Sequence, residues 1–245
     1  MCQICFSRRS FLTLAGAGAV AGCDRPPDLV SDEQVEKMGL EAWQDIRANT
    51  EVSANRDYQG ALDQVAARLL AAQNVDSEGW EILVFASPQV NAFALPGGKI
   101  GVYEGMFEVF ANEDQLAAIV GHEIGHLGAE HAQARMSAQV AKNAGMRVVA
   151  WLLNMGDVQY AAEIAAALGL GVEVGLLLPY SRDQELEADR LGLETMQMAR
   201  YDPREAVELW QRMQRAQGNR GPEFLATHPT PDSRIRQIEG ILQTL

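Results

Sequence analysis

The segment GHEIGHLGAEH, residues 121–131, limits what this chain can fold into more than any other part of the sequence. It continues the apolar string LAAIV, and Asn112 ahead of both is a residue type that caps helices, so we predict a buried helix. Each helical residue turns by about 100°, which puts His122 and His126 on one side, one turn apart. Ionisable side chains in a buried helix need partners, so another element must supply them.

Two imidazoles at this spacing can share one tetrahedral zinc ion, and the H-E-x-x-H pattern is typical of zinc hydrolases. Glu123 lies between them in the sequence, in position to take a proton from the attacking water. Chance polar residues are a poorer explanation, because they would be buried without partners. The sequence therefore predicts one Zn²⁺ per chain, held by His122 and His126, with Glu123 as the catalytic base.

A further histidine, His131, follows close behind but does not fit as a third ligand. In metzincin peptidases the third histidine comes ten residues after the first, and His131 comes nine residues after His122. If the helix continues, His131 lies about 180° around from His122 and about 13 Å further along. The string AQARMSAQVA keeps a helical composition, so we predict a helix to about Arg135 and an exposed or helix-capping His131.

A carboxylate on a second helix is the common alternative for the third ligand, and the string SRDQELEADR offers three. Glu185 and Asp189 are four residues apart and share a helix face, whereas Glu187 points away from it. One of the pair would bind zinc, and the other would accept the outer N–H of a ligating histidine.

The N-terminus carries the features of an export signal. SRRSFL resembles the twin-arginine motif, VAGC ending at Cys23 resembles a lipoprotein cleavage site, and the apolar run 11–22 is too short to span a bilayer. We predict a signal peptide at 1–22, a lipid-anchored tether at 23–30 and a single domain at 31–245. The alternative is an ordinary signal peptide with a chance cysteine.

Charge and cysteine content limit which partners and which cellular location are expected for the protein. The formal net charge is −13, and lysines and arginines do not cluster after Arg9, so no nucleic-acid partner is expected. Cys2 and Cys5 lie in the signal, which leaves Cys23 as the mature cysteine and allows no intramolecular disulfide. We expect the protein in the bacterial cell envelope, anchored to a membrane through lipid on Cys23 and facing the periplasm. Asp24 after Cys23 resembles the enterobacterial inner-membrane retention signal, but that rule is not general, so neither the membrane nor the oligomeric state is assigned.

Helical periodicity outweighs strand patterns along the rest of the chain. A strand is predicted at 80–86 and a hairpin at 90–103, with Gly97-Gly98 as its turn. The apolar helical stretches 140–155 and 158–170 are too short to cross a bilayer. The expected fold class is α+β, mostly helical with one small β-sheet.

Three strings, HEIGH, SRDQELEAD and THP, together resemble the gluzincin metallopeptidases of the HtpX, BepA and LoiP group. CAAX prenyl proteases and Oma-type proteases are relatives of that group. The resemblance covers about residues 55–240 and includes NAFALPGG, YDPREAVELW and FLATHPTPDSRI. It implies a zincin-like fold for the domain, and a short lipoprotein member, because no tetratricopeptide array follows the THP segment.

The resemblance also implies roles for particular residues. Glu185 would be the third zinc ligand, Asp189 would lie behind the ligands, and Arg234 would orient the acids. His228 would lie near the metal, where it can bind zinc and displace the water as a latency switch. The structural alternatives are that His228 only caps a helix and that Arg234 forms an ordinary salt bridge.

The residues Asn91, Ala92, Phe93 and Ala94 would form an edge strand that pairs with an extended polypeptide substrate, although the hairpin could be purely structural. The function expected from site and resemblance together is a zinc endopeptidase acting on misfolded or unassembled envelope proteins. One alternative is a latent, zinc-binding, chaperone-like lipoprotein with little turnover. Another is a structural lipoprotein in which zinc only braces the fold.

Overall fold

The structure is a computed structural model that describes residues 29–141, 180–215, 224–225, 228 and 232–245. The predicted signal peptide, Cys23 and the predicted helical stretch 158–170 lie outside them, as do most of the tether and most of the stretch 140–155. No helix among the described residues is both long and apolar enough to cross a membrane.

Helices dominate these residues. They are α1 (Asp32–Asn49), α2 (Arg56–Ala72), α3 (Glu104–Phe107), α4 (Glu113–Gly128), α5 (131–141), α6 (Arg182–Met198), α7 (Glu205–Arg215) and α8 (Asp232–Leu242). Serine or asparagine side chains cap the N-termini of four of them: Ser31 on α1, Asn55 on α2, Asn112 on α4 and Ser181 on α6. The α+β, mostly helical fold class is confirmed.

A three-stranded sheet comprises β1 (Glu81–Phe85), β2 (Ala92–Leu95) and β3 (Lys99–Tyr103), in the order β1-β3-β2. β1 is parallel to β3, and β2 is antiparallel to β3, which leaves β2 at an edge. Gly97 and Gly98 have positive φ angles of 82° and 69°, as a tight hairpin turn requires. The hairpin prediction is thus confirmed: β2 begins two residues inside the predicted range, and β3 ends at its predicted end, Tyr103.

The two faces of the sheet bury different clusters. Val84, Ile100 and Val102 face the main core, which the sheet shares with α2 and α4. The other face packs under α1, where Trp43 meets Phe85 edge-on at a ring distance of 5.5 Å. Alternation of this kind is what a strand buried on both faces requires. The sheet therefore lies between α1 and the helix that carries H-E-x-x-H.

The predicted continuous helix to Arg135 is wrong. α4 ends at Gly128, Glu130 takes a positive φ of 55°, and a new helix, α5, starts at residue 131. A left-handed residue after a helix end reverses the chain locally and stops the 100° progression on which the prediction rested. The direction of the side chains after residue 128 therefore has to be read from the structure.

Candidate active site

Small residues let α4 and α6 cross at close range. A Cβ placed on Gly125 would lie 2.7 Å from the carbonyl oxygen of Ala188, and one placed on Gly192 would lie 2.9 Å from the backbone of Gly121. Distances this short leave no room for a side chain at these positions. The close crossing brings the polar face of α6 directly against the two histidines of α4.

Four buried side chains, His122, His126, Glu185 and His228, converge at this crossing, with one donor atom from each within 4.8 Å of the others. His122 Nε2 lies 3.1 Å from His126 Nε2, 3.2 Å from His228 Nδ1 and 3.5 Å from Glu185 Oε2. Glu185 Oε1 lies 3.3 Å from His126 Nε2 and 3.0 Å from His228 Nδ1. The structure thus gathers both histidines of the motif, the glutamate of α6 and the histidine of THP.

His228 is held in place from the sheet side of the site. Its backbone N–H donates to the carbonyl of Phe224 at 2.8 Å, and its ring stacks on the ring of Phe224 with centroids 4.4 Å apart. The N–H of Phe224 donates in turn to the carbonyl of Val90, just before β2, at 3.1 Å. His228 is therefore built into the site, which disfavours a plain helix-capping role.

Asp189 and Arg234 lie behind His122. His122 Nδ1 lies 3.0 Å from Asp189 Oδ1, and Arg234 donates two hydrogen bonds of 2.7 Å to the two oxygens of Asp189. Arg234 also forms an ion pair with Glu185, and its guanidinium lies 4.0 Å from the centre of the Trp210 ring. Arg234 is only 2% exposed, so its charge lies against these two acids rather than in solvent.

The expectation of an exposed His131 is wrong. His131 is 3% exposed, its Nδ1 lies 2.8 Å from Nδ1 of His126, and its Nε2 lies 3.3 Å from Glu187 Oε2. The break after α4 turns His131 back towards the site, behind His126 rather than among the four converging donors. Glu187, which the helix-face argument placed away from the site, reaches the site through His131.

Glu123 is the one acid of the site without a hydrogen bond. It is 1% exposed, and neither carboxylate oxygen has a hydrogen-bond partner among the residues described. His228 Nε2 lies 3.5 Å from Glu123 Oε1, beyond ordinary hydrogen-bond distance. A buried carboxylate in this condition is costly unless something else in the working site engages it.

The charges of the site favour a cation. Burial alone would lower the pKa of His122, yet hydrogen bonds to Asp189 and Glu185 raise it to about 9. Burial would raise the pKa of Glu185, but its contacts with the three histidines hold that pKa far below the usual range. Burial lowers the pKa of His126 to about 2, so its imidazole is neutral and free to bind a metal. The site therefore stabilises a positive charge, whether a proton or a metal ion carries it.

The donor set fits zinc. Ligands around a tetrahedral zinc at about 2.1 Å lie about 3.4 Å apart, and the donor separations given above range from 3.0 to 3.5 Å. The fully buried charges of Glu123, Glu185, Asp189 and Arg234 sum to −2 when the imidazoles are neutral, which a dication would cancel. Imidazole nitrogen and carboxylate oxygen are ligands that zinc prefers.

One aromatic residue of the site escaped the sequence analysis. The ring of Tyr180 stacks on the ring of His126 with centroids 3.7 Å apart. The guanidinium of Arg135 is a cation–π partner of the same tyrosine, 3.6 Å from the centre of its ring. Burial raises the pKa of Tyr180, so its hydroxyl stays protonated. The one sequence signal for a role of Tyr180 in the site was its position directly before the serine that caps α6. A single aromatic residue in an apolar window usually indicates a core residue instead.

A cavity of about 340 Å³ lies between His126 and the turn that follows β2. His126 and Leu127 form one wall of the cavity, and Pro96 and Gly97, at the end of β2, form another. Of the predicted substrate-binding residues, Ala92, Phe93 and Ala94 lie in β2, whereas Asn91 directly precedes it. The cavity therefore connects one of the four donors, His126, with the turn at the end of β2.

Comparison with known proteins agrees with this geometry. The model of peptidase family M48 matches residues 57–242. The chain is similar to mitochondrial metalloendopeptidase OMA1 of Schizosaccharomyces pombe, 37% identical over 180 residues, which cover 73% of this chain and 51% of that protein. It is similar to the OMA1 metalloendopeptidase of Bos taurus, 30% identical over 225 residues, with 85% and 42% covered.

A bacterial relative is the β-barrel assembly-enhancing protease of Escherichia coli K12, 28% identical over 183 residues, with 71% of this chain and 37% of that protein covered. The chain thus spans about half the length of the curated relatives it matches, or less. The shared region contains the complete group of four donors.

Proposed function

The chain belongs to peptidase family M48, its matched region is a zinc metalloendopeptidase domain, and on that premise we propose that it cleaves misfolded or unassembled proteins of the cell envelope. The observation that carries the peptidase chemistry is the buried group of His122, His126 and Glu185 beside the carboxylate of Glu123, which has no hydrogen bond to the described residues. In that arrangement a metal site lies beside a carboxylate that can act as a base without first losing a structural hydrogen bond.

In the proposed reaction, His122, His126 and Glu185 hold the zinc ion. When bound, zinc supplies Lewis-acid chemistry: it polarises the scissile carbonyl and makes water more acidic. Glu123 takes the proton from the attacking water and delivers it to the leaving amine. Asp189 fixes the orientation of His122, and Arg234 holds Asp189 and Glu185 in place through its ion pairs with them.

The substrate is proposed to bind as an extended strand along β2. An edge strand offers backbone hydrogen-bonding groups to any extended segment, whatever its side chains. Folded proteins rarely expose such segments, whereas unfolded ones do. The geometry therefore suits a peptidase that selects unfolded chains rather than one sequence, with the adjoining cavity available for a substrate side chain.

We propose His228 as the switch between a latent and an active state. Structural zinc sites have four protein ligands, whereas catalytic sites keep one position for water. His228 Nδ1 stands among the donors, 3.0 Å from Glu185 Oε1, as a fourth ligand would. Cleavage would require His228 to leave and water to enter. This same observation favours the second candidate, a latent zinc-binding chaperone-like protein with little turnover.

The envelope assignment rests on the export features of the sequence and on the bacterial relative, which is named for β-barrel assembly. We propose that lipid on Cys23 anchors the protein to a membrane, with the domain facing the periplasm. Cys23→Ser should move the protein from the membrane fraction to the soluble fraction. A protein that stays with the membrane despite this change would refute lipid anchoring at Cys23.

Casein degradation by the purified protein tests the peptidase function. The wild type should degrade casein, a chelator should stop degradation, and Glu123→Gln should lower the rate by 10²-fold or more, on the order expected for a general base. Glu194→Gln, which changes a partly exposed acid on α6, is the matched control and should keep the wild-type rate. A zinc-loaded wild type and a zinc-loaded His228→Ala variant that both cleave nothing would exclude the peptidase function.

His228→Ala separates the two candidate functions. Under the switch proposal, removal of the fourth donor raises the casein rate above that of the wild type and leaves zinc bound. Under the chaperone-like alternative, neither protein degrades casein, and both suppress its aggregation. Comparison of envelope proteomes from wild-type and Glu123→Gln cells would then identify trapped substrates.

A further inference from the structure

The second histidine of the motif, His126, contacts a residue to which the proposed reaction assigns no role. Its Nε2 faces the other donors, 3.1 Å from His122 Nε2, so its Nδ1 faces away from them. That outer nitrogen lies 2.8 Å from Nδ1 of His131. His131 is 3% exposed, so water does not replace this contact.

Hydrogen-bond chemistry fixes the protons along this contact once His126 binds a metal. A histidine that ligates through Nε2 carries its proton on Nδ1, and two Nδ1 atoms 2.8 Å apart can hold only one proton between them. His126 therefore donates, and His131 accepts at Nδ1. His131 must then carry its own proton on Nε2, which lies 3.3 Å from the carboxylate of Glu187.

We propose that His131 is a positioning residue for the metal: its Nδ1 accepts the outer N–H of His126 and Glu187 orients it from behind. The two histidines of the motif would thus have unlike partners, since His122 faces the carboxylate of Asp189 at 3.0 Å. An outer partner sets the orientation and tautomer of a ligating histidine. This inference rests on the zinc site proposed above.

The place of His131 is fixed by contacts outside the site. α5, which His131 begins, is tied to the N-terminal segment: Leu29 N–H donates to Ser137 Oγ at 3.0 Å, and Gln133 donates to the carbonyl of Val30 at 3.2 Å. These bonds hold α5 independently of any metal. His131 is therefore a preorganised acceptor rather than a side chain that follows His126.

Three substitutions at His131 separate this role from simple packing. His131→Asn keeps an acceptor oxygen near the position of Nδ1, His131→Gln moves the acceptor towards the position of Nε2, and His131→Ala removes it. Loss of an outer partner typically weakens metal binding by about 10–100-fold. We expect a zinc affinity reduced by about that factor in the alanine and glutamine variants, and within a few-fold of wild type in the asparagine variant.

The measurement is competition for zinc with a chromogenic chelator, with circular dichroism to verify folding. All variants should still bind one zinc ion per chain at saturation. Wild-type affinity in His131→Ala, or equal losses in the asparagine and glutamine variants, would overturn the proposal. Loss of stoichiometric binding in folded variants would also overturn it, because it would make His131 a ligand.

Glu187 gives a second, independent comparison. Glu187→Ala should weaken zinc binding less than His131→Ala, because the Glu187 side chain is 52% exposed and water can replace it. Glu194→Ala, on the same helix and in a partly exposed ion pair with Arg190, is the control and should bind zinc as the wild type does. Equal effects of the two would refute the role of Glu187. None of these readouts needs peptidase activity, so a zinc-binding wild type and a zinc-binding His228→Ala variant that both cleave nothing would refute only the proposed function.

Discussion

Replacement of Gly125 by alanine tests whether the crossing of α4 and α6 assembles the site. The added Cβ would lie 2.7 Å from the carbonyl oxygen of Ala188 and 3.1 Å from its Cα. Both are backbone atoms of α6, which no rotamer change can move aside. The two helices must therefore separate, and the separation moves Glu185, one turn from Ala188, away from His126.

The magnitude follows from a matched control. Gly128 lies on the same helix, and a Cβ there would meet no atom within 4 Å. Alanine in place of glycine stabilises a helix interior by up to about 1 kcal/mol at either position, less near a helix end. Overpacking costs about 1–3 kcal/mol and applies only to Gly125→Ala. The difference between the two variants therefore measures the steric cost of the crossing.

Thermal unfolding and zinc competition are the assays. For a protein of this size, 1 kcal/mol shifts the midpoint by about 2–4 °C, so Gly125→Ala should unfold roughly 2–12 °C below Gly128→Ala. Its zinc affinity should fall by a factor on the order of ten, because the third ligand is displaced. Equal midpoints and equal zinc affinities in the two variants would refute the reasoning.

Further predictions concern the metal, a buried ion pair and a surface acid. Removal of zinc should lower the unfolding midpoint, and zinc at about 100 times its dissociation constant should restore about 2.7 kcal/mol. Arg234→Lys keeps the charge but loses the two-pronged contact with Asp189, so the zinc-free protein should be destabilised by about 2 kcal/mol in urea, and wild-type stability would contradict this. The hydrogen bond from Trp43 lowers the pKa of Glu81, so this carboxylate stabilises the fold above the ordinary glutamate pKa and the stabilisation is lost as pH falls through the lowered pKa. Glu81→Gln should therefore cost less than about 1 kcal/mol at pH 7 and nothing at pH 2; an equal cost at both would exclude the charge as its source.

The elements of the fold could be predicted because their signals are local. Serine and asparagine caps, the glycine pair of the hairpin and the alternation of β-formers each act within a few residues. The end of α4 could not be predicted in this way. Glu130 adopts a left-handed conformation that its residue type does not favour, and tertiary contacts of α5 with the N-terminal segment compensate for it.

That one undetected turn accounts for the error at His131. Helix geometry applied to a continuous α4 excluded His131 from the donors, and the structure likewise places it outside the group of four. The same helix geometry predicted that His131 is exposed to solvent. In the structure, a two-residue break after α4 brings His131 Nδ1 to 2.8 Å from His126 Nδ1. Tyr180 was missed for a different reason, since stacking on His126 involves no spacing that a sequence displays.

The four-residue spacing on both helices explains how separated segments form one site. On α4, Gly121 and Gly125 precede His122 and His126 by one residue each, so one helical repeat sets both a close-packing pair and a ligating pair. α6 repeats the arrangement with the small pair 188 and 192 and the acidic pair 185 and 189. When the small residues of the two helices pack together, the polar residues of the two helices meet as well. On each helix, the polar pair is rotated from the small pair by a fixed angle about the helix axis. A search for two segments with small and ligand-type residues both at four-residue spacing could therefore have located the α6 half of the site from the α4 half, without any reference to related proteins.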